Sequence, residues 1–83
     1  MKQAYVSVID YNIGNVGSVI KAFEFIGAAV RLVETPEDIM SSDKLVLPGV
    51  SAFGAAMSNL KMRNLDVAIR DYISSGNWFL GIC

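Results

Sequence analysis

Apolar residues fall in short, dense runs separated by polar, glycine-bearing stretches. The runs are Ala4 to Ile9, Ala29 to Val33, Lys44 to Leu47 and Trp78 to Ile82. Their length, and the β-branched and aromatic residues in them, predict strands. High hydrophobicity packed into short runs is what a parallel sheet covered on both faces requires, because such strands have no polar side. Between the runs the period changes to that of a helix. Val16, Val19, Ile20, Phe23 and Ile26 mark one helical face, with Asn15 as the expected N-cap and Gly27 where a C-terminal cap would stand. Thr35-Pro36-Glu37-Asp38 predicts a short helix: a capping hydroxyl, proline at the first helical position, and acids in the first turn. Ser41-Ser42-Asp43 closes it. Ala52 to Leu60 is a small helix or irregular turn that buries Phe53, Met57 and Leu60. Asn64 is expected to cap a longer helix, with Leu65, Ala68, Ile69, Tyr72 and Ile73 inward, Asp66, Arg70 and Asp71 outward, and Gly76 at its end.

The order β-α-β-α-β-α-β predicts an α/β fold with a doubly wound, mostly parallel sheet, opening with a right-handed crossover and with Ala4 to Ile9 near the centre. Met40, Met57, Met62, Phe23, Phe25, Trp78 and Phe79 fall mostly at core-periodic places and are expected in the core. Residues 1–83 form one domain on this reading. Its last strand has no helix after it, which leaves one sheet face short of cover. The expectation is therefore an N-terminal portion of a domain that continues beyond Cys83.

Composition narrows the function classes. The 83 residues carry seven basic and eight acidic side chains, with no run of like charges longer than the Glu37-Asp38 pair, for a net charge of −1. No basic patch suits nucleic acid. Although 53% of residues are hydrophobic, no run approaches the ~18 needed to span a membrane, and Asp10 interrupts the N-terminal run too early for a signal peptide. With one cysteine and no histidine, zinc-type ligand sets and disulfide frameworks are excluded within this stretch, and a reducing, cytoplasmic setting is expected. Neither a metal nor another cofactor is implied.

Candidate chemistry sits at strand ends. Cys83 ends the last apolar run, with the small Gly81 two residues before it. A lone cysteine in such a run can be a small buried hydrophobe. It can equally be a nucleophile on a tight turn, since catalytic groups in open α/β sheets collect at the carboxyl ends of strands. Leu47-Pro48-Gly49-Val50-Ser51 is another strand end. It is either a plain turn or a glycine-permitted backbone that aims amides at a developing oxyanion. If these two strand ends are neighbours, a thiol faces an oxyanion site. The stretch Asp10-Tyr11-Asn12-Ile13-Gly14-Asn15-Val16-Gly17 has neither the G-x-G-x-x-G nor the Walker spacing. It is a turn and helix cap, or part of the rim of the same site.

Taken together, Asp10 to Val19, Leu47 to Gly54 and Leu80-Gly81-Ile82-Cys83 resemble, in order and spacing, the N-terminal part of the glutaminase subunits of imidazole glycerol phosphate synthase. These are class I, triad-type glutamine amidotransferases. The resemblance runs over essentially the whole chain and implies that Cys83 attacks the side-chain amide of glutamine. A γ-glutamyl thioester forms and ammonia is released to a TIM-barrel cyclase subunit, the partner in a heterodimer. It also implies that Gly49, Val50 and Ser51 belong to the oxyanion strand, and that Gly14, Asn15 and Ser18 lie on the side facing the cyclase. The family's usual residue at position 51 is glycine, and the Cβ of Ser51 narrows the backbone conformations open to that strand. The triad's His and Glu are expected beyond Cys83. Two alternatives are another class I amidotransferase that feeds a different acceptor, and a non-catalytic doubly wound module that binds a partner.

Overall fold

The computed structural model describes residues 5–11, 16–49 and 53–82. Its elements in chain order are β1 (Tyr5–Ile9), α1 (Val16–Phe25), β2 (Ala29–Val33), α2 (Pro36–Met40), β3 (Lys44–Leu47), α3 (Phe53–Met62), α4 (Leu65–Ser74) and β4 (Trp78–Gly81). All strand pairs are parallel, in the order β2-β1-β3-β4. The chain leaves β1 toward β2 on one side, then returns past β1 to add β3 and β4 on the other. The carboxyl ends of β1 and β3 therefore flank the point where the winding reverses, the usual ligand crevice of open α/β sheets. The expected α/β architecture and the inner position of β1 are both present.

Alternate strand residues serve different layers. Ile9, Val33 and Leu45 pack with Ile39, Ala56, Leu60, Leu65, Ala68, Ile69 and Tyr72 from α2, α3 and α4 to form the buried core, with Leu47 and Phe79 at its margin. The opposite face carries Val6, Val46, Trp78 and Leu80, which share a groove with Phe23 of α1. Helix α1 packs on β1 and β2, and none of its residues is fully buried. Among the described residues, α1 alone lies on this face; Val46 of β3 is still buried, but Trp78 and Leu80 on the edge strand β4 are exposed. This corrects part of the expected core. Trp78 is 76% exposed, Phe25 91% and Met62 82%, while Met40 and Ile73 are about half exposed. Periodicity identifies an apolar stripe, but burial also requires a second layer over it.

The turn chemistry explains where helices stop. Gly27 takes φ +86°, its N–H donates to the Glu24 carbonyl, and Ala28 N–H donates to Phe23, the paired bonds of a Schellman end. Asn64 differs from expectation. It precedes α4 but makes no side-chain cap bond, and it adopts φ 60°, ψ 23°. Its N–H donates to the Lys61 carbonyl, so it is the left-handed residue that ends α3, a role asparagine fills second to glycine.

Thr35 behaves as predicted, its Oγ1 accepting from Asp38 N–H at 3.2 Å. Thr35→Ala is expected to lower stability by about 1 kcal/mol, read as a lower urea midpoint at unchanged slope.

Candidate functional site at the carboxyl ends of three strands

The pairing of β3 with β4 brings the two candidate strand ends together. Leu47 lies opposite Gly81, and Ile82 N–H donates to the Leu47 carbonyl at 2.9 Å. The strand that leads into Cys83 is thus held against the residue that precedes Pro48-Gly49. Pro48 is fully buried and Gly49 half-buried. Cys83, Val50, Ser51, Gly14 and Asn15 lie outside the described residues. Of the predicted site residues, Gly49 and Ser18 lie within them. Ser18 is an exposed residue of α1. It lines an open, largely apolar groove of ≈ 450 Å³ with Val19, Ala22, Phe23, Ile26 and Ile82, and so stands on the flank of the β4 end.

Two residues not singled out in the sequence tie this edge together. Tyr11, the second residue after β1, is 1% exposed, and its phenol donates to the Pro48 carbonyl at 2.9 Å. Arg63, in the turn between α3 and α4, donates from Nη1 to the Asp10 carbonyl at 3.3 Å. Asp10 N–H in turn donates to the Val33 carbonyl of β2 at 2.9 Å. The carboxyl ends of all four strands are therefore linked by hydrogen bonds. A phenol is an O–H donor at neutral pH in any case, and burial pushes that of Tyr11 further above its ordinary pKa. A tyrosine in a polar loop directly after a central strand was the available signal, because a buried phenol needs a partner for its O–H.

Among the described residues no buried side-chain N or O lacks a partner, and no helix is long and apolar enough to cross a membrane.

Comparison with known proteins gives a consistent set of relatives. The chain is 51% identical over 78 residues to imidazole glycerol phosphate synthase subunit HisH 1 of Legionella pneumophila (strain Paris), covering 94% of this chain and 37% of that protein. Against subunit HisH of Bacillus subtilis (strain 168) identity is 46% over 78 residues, with the same coverage. Against subunit HisH of Helicobacter hepaticus it is 42% over an alignment of 93 residues, covering 100% of this chain and 43% of the relative. The chain thus spans about two fifths of the length of the curated relatives it matches. No family model matches it.

Proposed function

From a chain homologous to the N-terminal part of HisH subunits, we propose a glutaminase subunit that hydrolyses glutamine to glutamate and ammonia through a thioester on Cys83. The ammonia passes to a cyclase subunit, a TIM barrel, that makes imidazole glycerol phosphate in histidine biosynthesis. Residues 1–83 are the first portion of the glutaminase domain, which continues beyond Cys83 and supplies the triad's His and Glu. Gly14, Asn15 and Ser18 face the cyclase in a cytoplasmic heterodimer.

The observation that carries this reading is the hydrogen-bonded pairing of Leu47 with the Gly81-Ile82 strand end. It supports placing the next residue, Cys83, beside the turn that begins at Pro48-Gly49. The chemistry follows from that neighbourhood. The Cys83 thiol gives its proton to the imidazole, and the thiolate attacks the amide carbon. The negative charge that develops on the amide oxygen meets backbone N–H groups of the Gly49-Val50-Ser51 segment. Collapse expels ammonia, protonated by the imidazole, and leaves the thioester. Water, deprotonated by the same base, then releases glutamate and restores the thiol. A depressed thiol pKa or an adjacent base is required for this at neutral pH.

Treating the complete subunit, assembled with its cyclase, with an electrophilic glutamine analogue tests the reading. The expected result is one adduct, on the peptide carrying Cys83, whose formation glutamine slows. An adduct elsewhere, or labelling that glutamine does not affect, would count against it.

A further inference from the structure

We propose that Tyr11 is a positioning residue for the oxyanion segment: its buried phenol, bonded to the Pro48 carbonyl, sets the orientation of the peptide unit from which that segment departs. This inference rests on the glutaminase reading and assigns a residue to it from the loop after β1, a different part of the chain from the ends of β3 and β4 that lead to Gly49 and Cys83.

The argument begins with peptide geometry. The Pro48–Gly49 peptide is planar and trans, so its carbonyl and its N–H point in opposite directions. With the Pro48 oxygen held 2.9 Å from the Tyr11 phenol, the Gly49 N–H is aimed away from Tyr11. Rotation of that unit would strand a buried phenol O–H, and Tyr11 is 1% exposed, so no water replaces the lost acceptor. One residue earlier, the Leu47 carbonyl is held by Ile82 N–H at 2.9 Å. Two successive carbonyls before Gly49 are therefore pinned, one to the loop after β1 and one to the strand that leads into Cys83. Any change of peptide orientation in the oxyanion segment is confined to bonds after Gly49.

Tyr11 is itself braced. The Asp10 carbonyl accepts from Arg63 and the Asp10 N–H donates to Val33. The loop that opens at Asp10-Tyr11 is the one proposed to face the cyclase, so the Tyr11 bond also joins that loop to the oxyanion segment.

Tyr72 provides an internal control. Its phenol is equally buried and donates to the Ser42 carbonyl at 3.0 Å, where β3 begins, at the opposite end of the strand from Pro48. Tyr11→Phe and Tyr72→Phe each remove one buried phenol–carbonyl bond, and a purely structural role predicts the same consequences for both.

The test uses the complete subunit with its cyclase and measures glutamine turnover. Tyr11→Phe is expected to lower kcat by about tenfold, the effect of a little over one lost hydrogen bond's worth of transition-state stabilisation, with KM for glutamine within about twofold. Tyr72→Phe is expected to keep both constants while lowering the melting temperature. A Tyr11→Phe kcat within about twofold of the parent, or equal kcat losses in the two variants, would overturn the assignment. Cys83 labelling in each variant separates the two levels of the argument. Normal labelling with normal kcat in Tyr11→Phe refutes the positioning role alone. Failure of the parent protein to be labelled refutes the glutaminase reading, and this inference with it.

Discussion

Cys83→Ala, made in the complete subunit and assayed with its cyclase, is expected to lower glutamine turnover on the order of 10⁴-fold or more. The size of the effect follows from the role proposed for the thiol. On that reading it forms the covalent bond that divides amide hydrolysis into two easier steps, and alanine has no atom that can form it. On the same reading, what remains in the variant is substrate binding and the backbone donors proposed for the Gly49-Val50-Ser51 segment. Such donors alone sustain a residual rate over water. KM for glutamine is expected to change far less than kcat, because the thiol contributes little to ground-state binding. The cyclase reaction of the same complex, supplied with ammonium in place of glutamine, is expected to keep its rate, since the substitution touches only the source of ammonia. Glutamine turnover that survives within about tenfold in the alanine variant would sink the thioester mechanism. It would return Cys83 to the role of a small buried hydrophobe at a strand end.

Most of the scaffold was legible because it is dictated locally. Short apolar runs gave the strands Tyr5–Ile9, Ala29–Val33, Lys44–Leu47 and Trp78–Gly81 to within a residue. The Thr35-Pro36 start and the Gly27 end depend on side chains within a few positions of each other. Contacts that depend on distant partners were not legible in the same way. Tyr11 and Pro48 are 37 residues apart; a tyrosine after a central strand signals that its phenol needs an acceptor, but nothing near it identifies Pro48 as that acceptor. Asn64 was read forward, as the start of α4, because asparagine suits an N-cap. Its positive φ makes it the end of α3 instead, and one residue between two helices can serve either. The exposed Trp78 and Phe25 show the third kind of limit. Hydrophobicity reports a tendency to be covered, whereas exposure depends on whether another layer of the chain lies over that face. At the candidate site, the neighbouring of the two strand ends was foreseen as a condition and is met at Leu47 and Gly81.

Ile39 and Met40 turn that last distinction into a stability measurement. Both lie in α2, adjacent in sequence, and both are apolar. Ile39 is fully buried and Met40 is 47% exposed. Ile39 is also the one fully buried residue of this five-residue helix, which is too short to persist without packing. It joins Leu45, Leu65, Ala68 and Tyr72 in the core between α2, α4 and the sheet. Ile39→Ala is expected to cost about 2 to 5 kcal/mol, because the lost transfer free energy adds to a cavity that a close-packed core fills incompletely. Against a net stability of roughly 5 to 15 kcal/mol for a typical domain, this approaches unfolding. Loosening of α2 should also release the Arg31 contact to Ser41 at its end. Met40→Ala removes a side chain that solvent already reaches, and is expected to change stability by no more than about 0.5 kcal/mol. Urea unfolding of the two variants beside the parent decides the matter. Equal losses in both would mean that α2 packs through Met40 as well as Ile39, against the burial described here. A large loss confined to Ile39→Ala would establish that one side chain seats this helix on the sheet.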